Sequence, residues 1–334
     1  MINAWIYPSF EGNMRHFQRI AVESWGMTLF GFGLTWLYLA QGRDFMIPLQ
    51  KWMPPALGLS FLIMSYFFIG PQGARAQAFS TNALLPPMWY LTLTLICFCN
   101  FATMTNRDKI IRLVLLGTAA IMCLYSGGRT ILIIWLLCTM LLAVYVVRTR
   151  RRNTRPFRDL ILLLVPLLGL LGLLALLDAV TGRTIAMRFA YTFETLSRNG
   201  LSSEGFFRLE IWAAALDIIK QYLPFGAGQV NERLLIHKII EREWWFFAHQ
   251  TYLSYLIAGG WIALVSGLLF QGAGFVLLTR TMMPAALGLV LVPGLNGLTD
   301  SVFQSFFSVQ LYMLLILLLT HSQVVTRQVH PKVG

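Results

Sequence analysis

The stretch that decides the fold runs from Arg148 to Leu177, RTRRRNTRPFRDLILLLVPLLGLLGLLALL. Its second part, Leu160–Leu177, is an uncharged apolar run. It approaches the ~20 residues that a helix needs to cross the hydrocarbon core of a bilayer. Its first part gathers Arg148, Arg150, Arg151, Arg152, Arg155 and Arg158. A dense basic cluster beside an apolar run stays on the cytoplasmic side, so this stretch sets both a membrane span and its direction.

The rest of the chain follows suit. Of 334 residues, 57% are hydrophobic and 12% charged, with a mean hydropathy of +0.66. A soluble domain of that length needs more charge to cover its surface. A transmembrane barrel would show short alternating segments, which are missing here. The expected fold is therefore all-α, a polytopic bundle forming one membrane domain over 1–334. The net charge of +12 raises the question of nucleic acid, but basic loops of a membrane protein account for it. No nucleic-acid partner is expected; membrane lipid is. Cys97, Cys99, Cys123 and Cys138 all fall inside apolar runs, where thiols pack as small hydrophobes, so neither a disulfide framework nor a metal site is indicated. The first twenty residues hold no continuous apolar core of a signal peptide.

About nine spans are expected, at 20–40, 52–70, 84–104, 110–127, 131–147, 159–180, 250–271, 283–303 and 305–322. Counting outward from the arginine cluster puts Arg107, Lys109, Arg112, Arg43, Lys51, Arg280, Arg327 and Lys332 in the cytoplasm. The links expected outside, 71–83 and 128–130, hold one arginine each, Arg75 and Arg129. Nine spans with a cytoplasmic C-terminus leave the N-terminus outside, although Arg15 and Arg19 precede the first span. A missed or missing N-terminal element would resolve that conflict.

One long insert, 181–249, breaks the series of spans on the extracytoplasmic side. It carries Glu194, Glu204, Glu210, Asp217, Glu232, Glu241 and Glu243, half of the chain's 14 acids. Mixed charge with many aromatics reads as folded rather than tethering chain. Within it, helical periodicity over 206–223 places Arg208 on one face with Trp212, Ala215 and Ile219, at about 100° per residue. Arg208 either snorkels to water or headgroups, or points at an anionic ligand. Pro224 and the Gly226–Ala227–Gly228 run end the helix.

Two more residues fall in the same layer, and a third lies near it. Arg129 follows Gly127–Gly128 where the fifth span begins, so its guanidinium would join the positive end of a helix dipole at a natural phosphate site. The plainer reading makes it an interfacial anchor. His249 starts the seventh span behind Trp244, Trp245, Phe246 and Phe247, an aromatic belt that fixes its depth. A lone histidine is more often structural; two arginines expected at the same face shift the balance. Asp300 closes Asn296–Gly297–Leu298–Thr299–Asp300 near the outer end of the eighth span. An acid there needs a partner, and pairing with one of the arginines is its expected role, with direct proton transfer the alternative. His16, His237, His321 and His330 have no such support.

These motifs carry a resemblance. Ser126–Gly127–Gly128–Arg129–Thr130 lies between two spans, and Arg208–Leu209–Glu210–Ile211–Trp212 is followed by Pro224–Phe225–Gly226–Ala227–Gly228. His249–Gln250–Thr251–Tyr252–Leu253 leads into a Gly259–Gly260 span, and Gly297–Leu298–Thr299–Asp300 comes last. In that order they resemble the bacterial O-antigen ligases, within the larger O-antigen ligase and polymerase family. The resemblance implies a membrane glycosyltransferase of the GT-C type, using no nucleotide sugar, cofactor or obligatory metal. Its donor would be a glycan on undecaprenyl pyrophosphate. Its acceptor would be lipid A–core, or another lipid-linked glycan in a polymerase, at the periplasmic face of the inner membrane. Arg129 and Arg208 would hold the pyrophosphate, His249 would deprotonate the acceptor hydroxyl, and Asp300 would support them.

The chemistry agrees, since fixed arginines can stabilise a departing pyrophosphate and neutral histidine suits a general base near pH 7. Two departures stand out. Family members often have asparagine where this chain has Gln250, and usually about three more N-terminal spans. An anion transporter is the competing reading from another class. It predicts ionisable residues through the mid-membrane and often repeats, neither of which the sequence shows.

Overall fold

The computed structural model describes residues 41, 44–69, 85–125, 129–149, 172, 207–240, 248–278, 282–300, 302 and 306–329. Among these residues every regular element is helical. In chain order they are α1 (Met46–Ile69), α2 (Leu85–Ile96), α3 (Asn106–Tyr125), α4 (Arg129–Thr149) and α5 (Phe207–Tyr222). Then come α6 (Gln229–Ile240) and α7 (Thr251–Leu277), α8 (Met283–Asn296) and α9 (Phe306–Val329). The spans expected at 20–40 and 159–180 lie outside the described residues, apart from Gly172.

The helices form two compact units. The first draws on Ile47–Glu210 and Leu269–Asp300; the second draws on Ile211–Leu268, Ser301–Gly334 and the residues up to Met46. In the first unit α2, α3, α4 and α8 pack on one another. Leu91, Leu95, Phe98, Leu116, Ile131, Trp135, Cys138 and Leu289 are fully buried there. The Trp135 indole N–H donates to the Leu116 carbonyl at 2.9 Å, so this large side chain satisfies its polar atom inside the core.

α4 shows why composition alone pointed to a bilayer. Ile131, Ile134, Trp135, Cys138, Leu142 and Val146 are buried, while Ile133, Leu136, Leu137, Met140, Leu141 and Val144 on the other side are exposed. A helix apolar all round does not stand free in water.

Two elements depart from the expected spans. The 84–104 run is not one helix: α2 stops at Ile96, a turn follows over 97–100, and Asn100 enters the left-handed region at φ 62° ahead of a 3-10 turn, Phe101–Thr103. Arg112 closes that break. Its buried guanidinium donates to the carbonyls of Cys97 at 3.1 Å, Asp108 at 3.1 Å and Gln50 at 3.2 Å. The helix in the 283–303 run ends early, at Asn296. Within it the Val292 amide reaches back five residues to the Leu287 carbonyl, a π turn just before Pro293, which has no N–H to give. Gly288 lets this turn press on α2: an added Cβ would lie 2.8 Å from the Thr92 carbonyl oxygen.

In the second unit α7 is broken at Gly259 (φ −149°) and Gly260 (φ 61°, ψ −147°). The break frees backbone groups, and the loop after α5 takes them. Ala227 N–H donates to Ile257 C=O at 2.6 Å, Gly228 N–H to Ala258 C=O at 3.1 Å, and Trp261 N–H to Pro224 C=O at 3.1 Å. The Pro224–Gly228 and Gly259–Gly260 motifs, distant in sequence, are thus the two halves of one joint.

α7 is the one described helix long and apolar enough to cross a membrane, by a stretch Thr251–Val276 of 26 residues with mean hydropathy 1.9. Its exposed large apolar side chains, Trp261, Ile262, Val265, Leu268, Leu269, Phe275 and Val276, all come after the break. The span expected from residue 250 therefore has its apolar outer face only from residue 261 onward.

Candidate functional site

Arg208 stands in the first turn of α5, as the periodicity over 206–223 predicts. The same helix buries Ile211, Ala214, Ala215, Ile218 and Ile219, an i, i+3, i+4, i+7, i+8 stripe. Asp217 and Lys220 pair on the opposite, exposed face at 2.9 Å. Arg208 does not snorkel freely. One of its terminal nitrogens donates to the Thr299 carbonyl at 2.9 Å, which fixes the head of the side chain. Guanidinium has five N–H donors. Among the described residues the Thr299 bond is the one it makes to protein, which leaves a planar fork for the oxygens of an anion.

Thr299 belongs to the short segment that closes α8 and ends in Asp300. The amides of Gly297, Thr299 and Asp300 donate to Pro293, Asn296 and Asn296 carbonyls at 2.8, 3.0 and 2.9 Å, a tight turn that finishes the helix. Asp300 is buried, at 4% exposure. The first unit thus brings Arg208 onto the residue next to Asp300, and the contact is made through backbone. Asn296, fully buried in the same turn, gives its amide to the Met88 sulfur at 3.5 Å. Arg129 opens α4, in the same unit.

His249 lies in the second unit, two residues before α7. Its φ is 47°, a left-handed backbone that histidine tolerates better than most residues but that still costs about 1–3 kcal/mol. Such a conformation persists where neighbouring residues over-determine it, and here they do. Ala248, just ahead, is held at both its backbone polar groups: its N–H donates to a Glu232 carboxylate oxygen at 3.1 Å, and its carbonyl accepts from the Trp212 indole at 3.0 Å. Just behind, the Gln250 side-chain oxygen accepts from the Leu253 amide, capping α7. Thr251 offers its hydroxyl oxygen to the Val302 amide at 3.0 Å. Gln250 therefore caps the helix that follows His249.

Glu232 was invisible as a functional residue in the sequence. It is one acid among many in a mixed-charge insert, yet it is fully buried. The same oxygen that takes the Ala248 N–H also accepts from the Ser254 hydroxyl at 2.6 Å. Only the oddity of an acid three residues into an amphipathic helix, right after the Gly226–Gly228 stop, could have drawn attention to it.

Among the described residues no cluster of histidine, cysteine and acids could hold a metal ion. What the two groups of residues can do chemically is grip an anion, at Arg208, and present an imidazole from a backbone whose neighbours are hydrogen-bonded on either side, at His249.

No curated protein matches the chain. Residues 113–270 match the family model described as O-Antigen ligase. That stretch contains Arg129, Arg208, Glu232 and His249, and both halves of the glycine joint, while Asp300 lies beyond it. Through this matched stretch, a little under half of its length, the chain is similar to the O-antigen ligase family.

Proposed function

We propose that the protein transfers a glycan from undecaprenyl pyrophosphate to lipid A–core at the periplasmic face of the inner membrane. In this reading it is a multi-pass enzyme of the GT-C type, with the 181–249 insert outside. The observation that carries the reading is the O-antigen ligase match over residues 113–270, which encloses a histidine locked at φ 47° and an arginine docked by one N–H.

The residues have distinct tasks. Arg129 and Arg208 bind the pyrophosphate and take up the negative charge that grows as the glycosyl bond breaks. His249 accepts the proton of the acceptor hydroxyl, whose oxygen attacks the anomeric carbon; undecaprenyl pyrophosphate leaves with the bonding electrons. Asp300 shapes the turn on which Arg208 rests. The apolar faces of α4 and of α7 beyond Gly260 support placement in lipid, which has no need to be kept from such side chains.

The lipopolysaccharide of a cell lacking this gene tests the substrate assignment. A ligase leaves bare core in the mutant while lipid-linked polymer accumulates. Core bearing a single repeat unit would instead make the protein a polymerase, and normal banding would overturn both.

A further inference from the structure

We infer that Glu232 is the positioning residue for His249, acting through the backbone that leads into and out of it. The inference rests on His249 being the general base. Three observations carry it. Glu232 is a carboxylate at 0% exposure, in an insert whose other described acids, Glu210 and Asp217, are exposed. One of its oxygens accepts both from the Ala248 amide at 3.1 Å and from the Ser254 hydroxyl at 2.6 Å. Those donors flank His249, one residue before it and five after. Finally, the residue between them has the left-handed backbone that needs outside restraint to persist.

The geometry works as a clasp. Ser254 is in the first turn of α7, so Glu232 ties the approach strand to the helix it enters. Without the clasp, Ala248 keeps only the Trp212 bond to its carbonyl among its described side-chain contacts, and the peptide that carries the Ala248 N–H, one link before the one joining it to His249, loses its anchor. A base must be held within hydrogen-bond reach of the proton it takes, and a third group that orients the base is the general pattern of such sites. Misplacement of a reacting group by about 1 Å costs on the order of 10²-fold in rate.

The test uses the full chain in liposomes, with an undecaprenyl-pyrophosphate-linked glycan and lipid A–core. Glu232→Ala is expected to lower kcat about 10²-fold while KM for the lipid-linked donor stays within about twofold of wild type. Trp212→Phe, which removes the indole N–H together with part of the ring, is the milder second variant and should lower kcat in the same direction without loss of protein. The deciding readout is the background. In His249→Gln, Glu232→Ala should cost nothing more, because residues that act as a unit are not additive.

A Glu232→Ala enzyme with wild-type kcat overturns the inference, whatever His249→Gln does. An equal fold loss in both backgrounds also overturns it, and makes Glu232 a support of the fold alone. A His249→Gln enzyme that transfers at the wild-type rate overturns the general-base reading itself, and is recognised separately because it is measured without touching Glu232.

Discussion

Gly260→Ala puts the glycine joint to the test. Gly260 has φ 61°, and a Cβ there would lie 1.8 Å from the Pro224 carbonyl oxygen and 2.5 Å from its carbon. Both obstacles are backbone, so no side-chain rotation relieves them. Left-handed backbone costs alanine about 1–2 kcal/mol more than glycine. Moving the 224–228 loop away would break three backbone hydrogen bonds, from Ala227, Gly228 and Trp261, each worth roughly 1 kcal/mol. The expected destabilisation is therefore about 4 kcal/mol, a large share of a native protein's usual margin. It should appear as a drop in Tm on the order of 10 °C in detergent.

Gly58 and Gly272 are the internal controls, since an added Cβ meets nothing within 4 Å at either place. Alanine there should leave Tm unchanged or raise it slightly, because helical glycine costs about 1 kcal/mol relative to alanine. If Gly260→Ala melts with the controls, the loop is not locked to α7 and the reasoning about the joint fails.

Two further outcomes are expected. Arg208→Ala should abolish transfer while the protein stays inserted and abundant, and Arg208→Lys should rescue poorly because it keeps the charge and loses the planar fork; full activity in Arg208→Ala would return the residue to a structural role on Thr299. Topology reporters fused after Arg152 and after Val329 should read cytoplasmic and one near Asn199 extracytoplasmic; a cytoplasmic signal at Asn199 would remove the basis for grouping Arg129, Arg208 and His249 at one face.

Local signals are legible in the sequence and distant ones are not. The helix over 206–223 is observed as Phe207–Tyr222, because an apolar stripe and a Pro-Gly stop are both local. The start of α7 next to His249 was legible for the same reason. The break at 97–103 was not, since Ile96–Thr103 is apolar apart from Asn100 and Thr103, and hydropathy cannot tell a helix from a turn plugged by Arg112. That arginine looked like an ordinary loop-flanking charge, and its three carbonyl partners come from Gln50, Cys97 and Asp108.

Gly259–Gly260 and Pro224–Gly228 were noticed as separate motifs; only the fold shows that each exists to fit the other. Among the candidate site residues, Arg208 stood out as a cation on an apolar stripe and His249 by its place behind an aromatic belt. Glu232 had no such contrast. Its meaning lies in two bonds to residues 16 and 22 positions away, which no local pattern encodes.

The central claim, that His249 takes the proton of the acceptor hydroxyl, meets its most direct test in His249→Gln. Glutamine keeps most of the volume and some hydrogen bonding but cannot accept a proton near pH 7. Single-turnover transfer from an undecaprenyl-pyrophosphate-linked glycan should be followed with the purified full chain in liposomes, alongside donor binding. The rate should fall on the order of 10²–10⁴-fold, the contribution of a positioned base, while donor binding persists because Arg129 and Arg208 remain. Transfer at the wild-type rate would contradict the account and leave His249 as an orienting group at the head of α7.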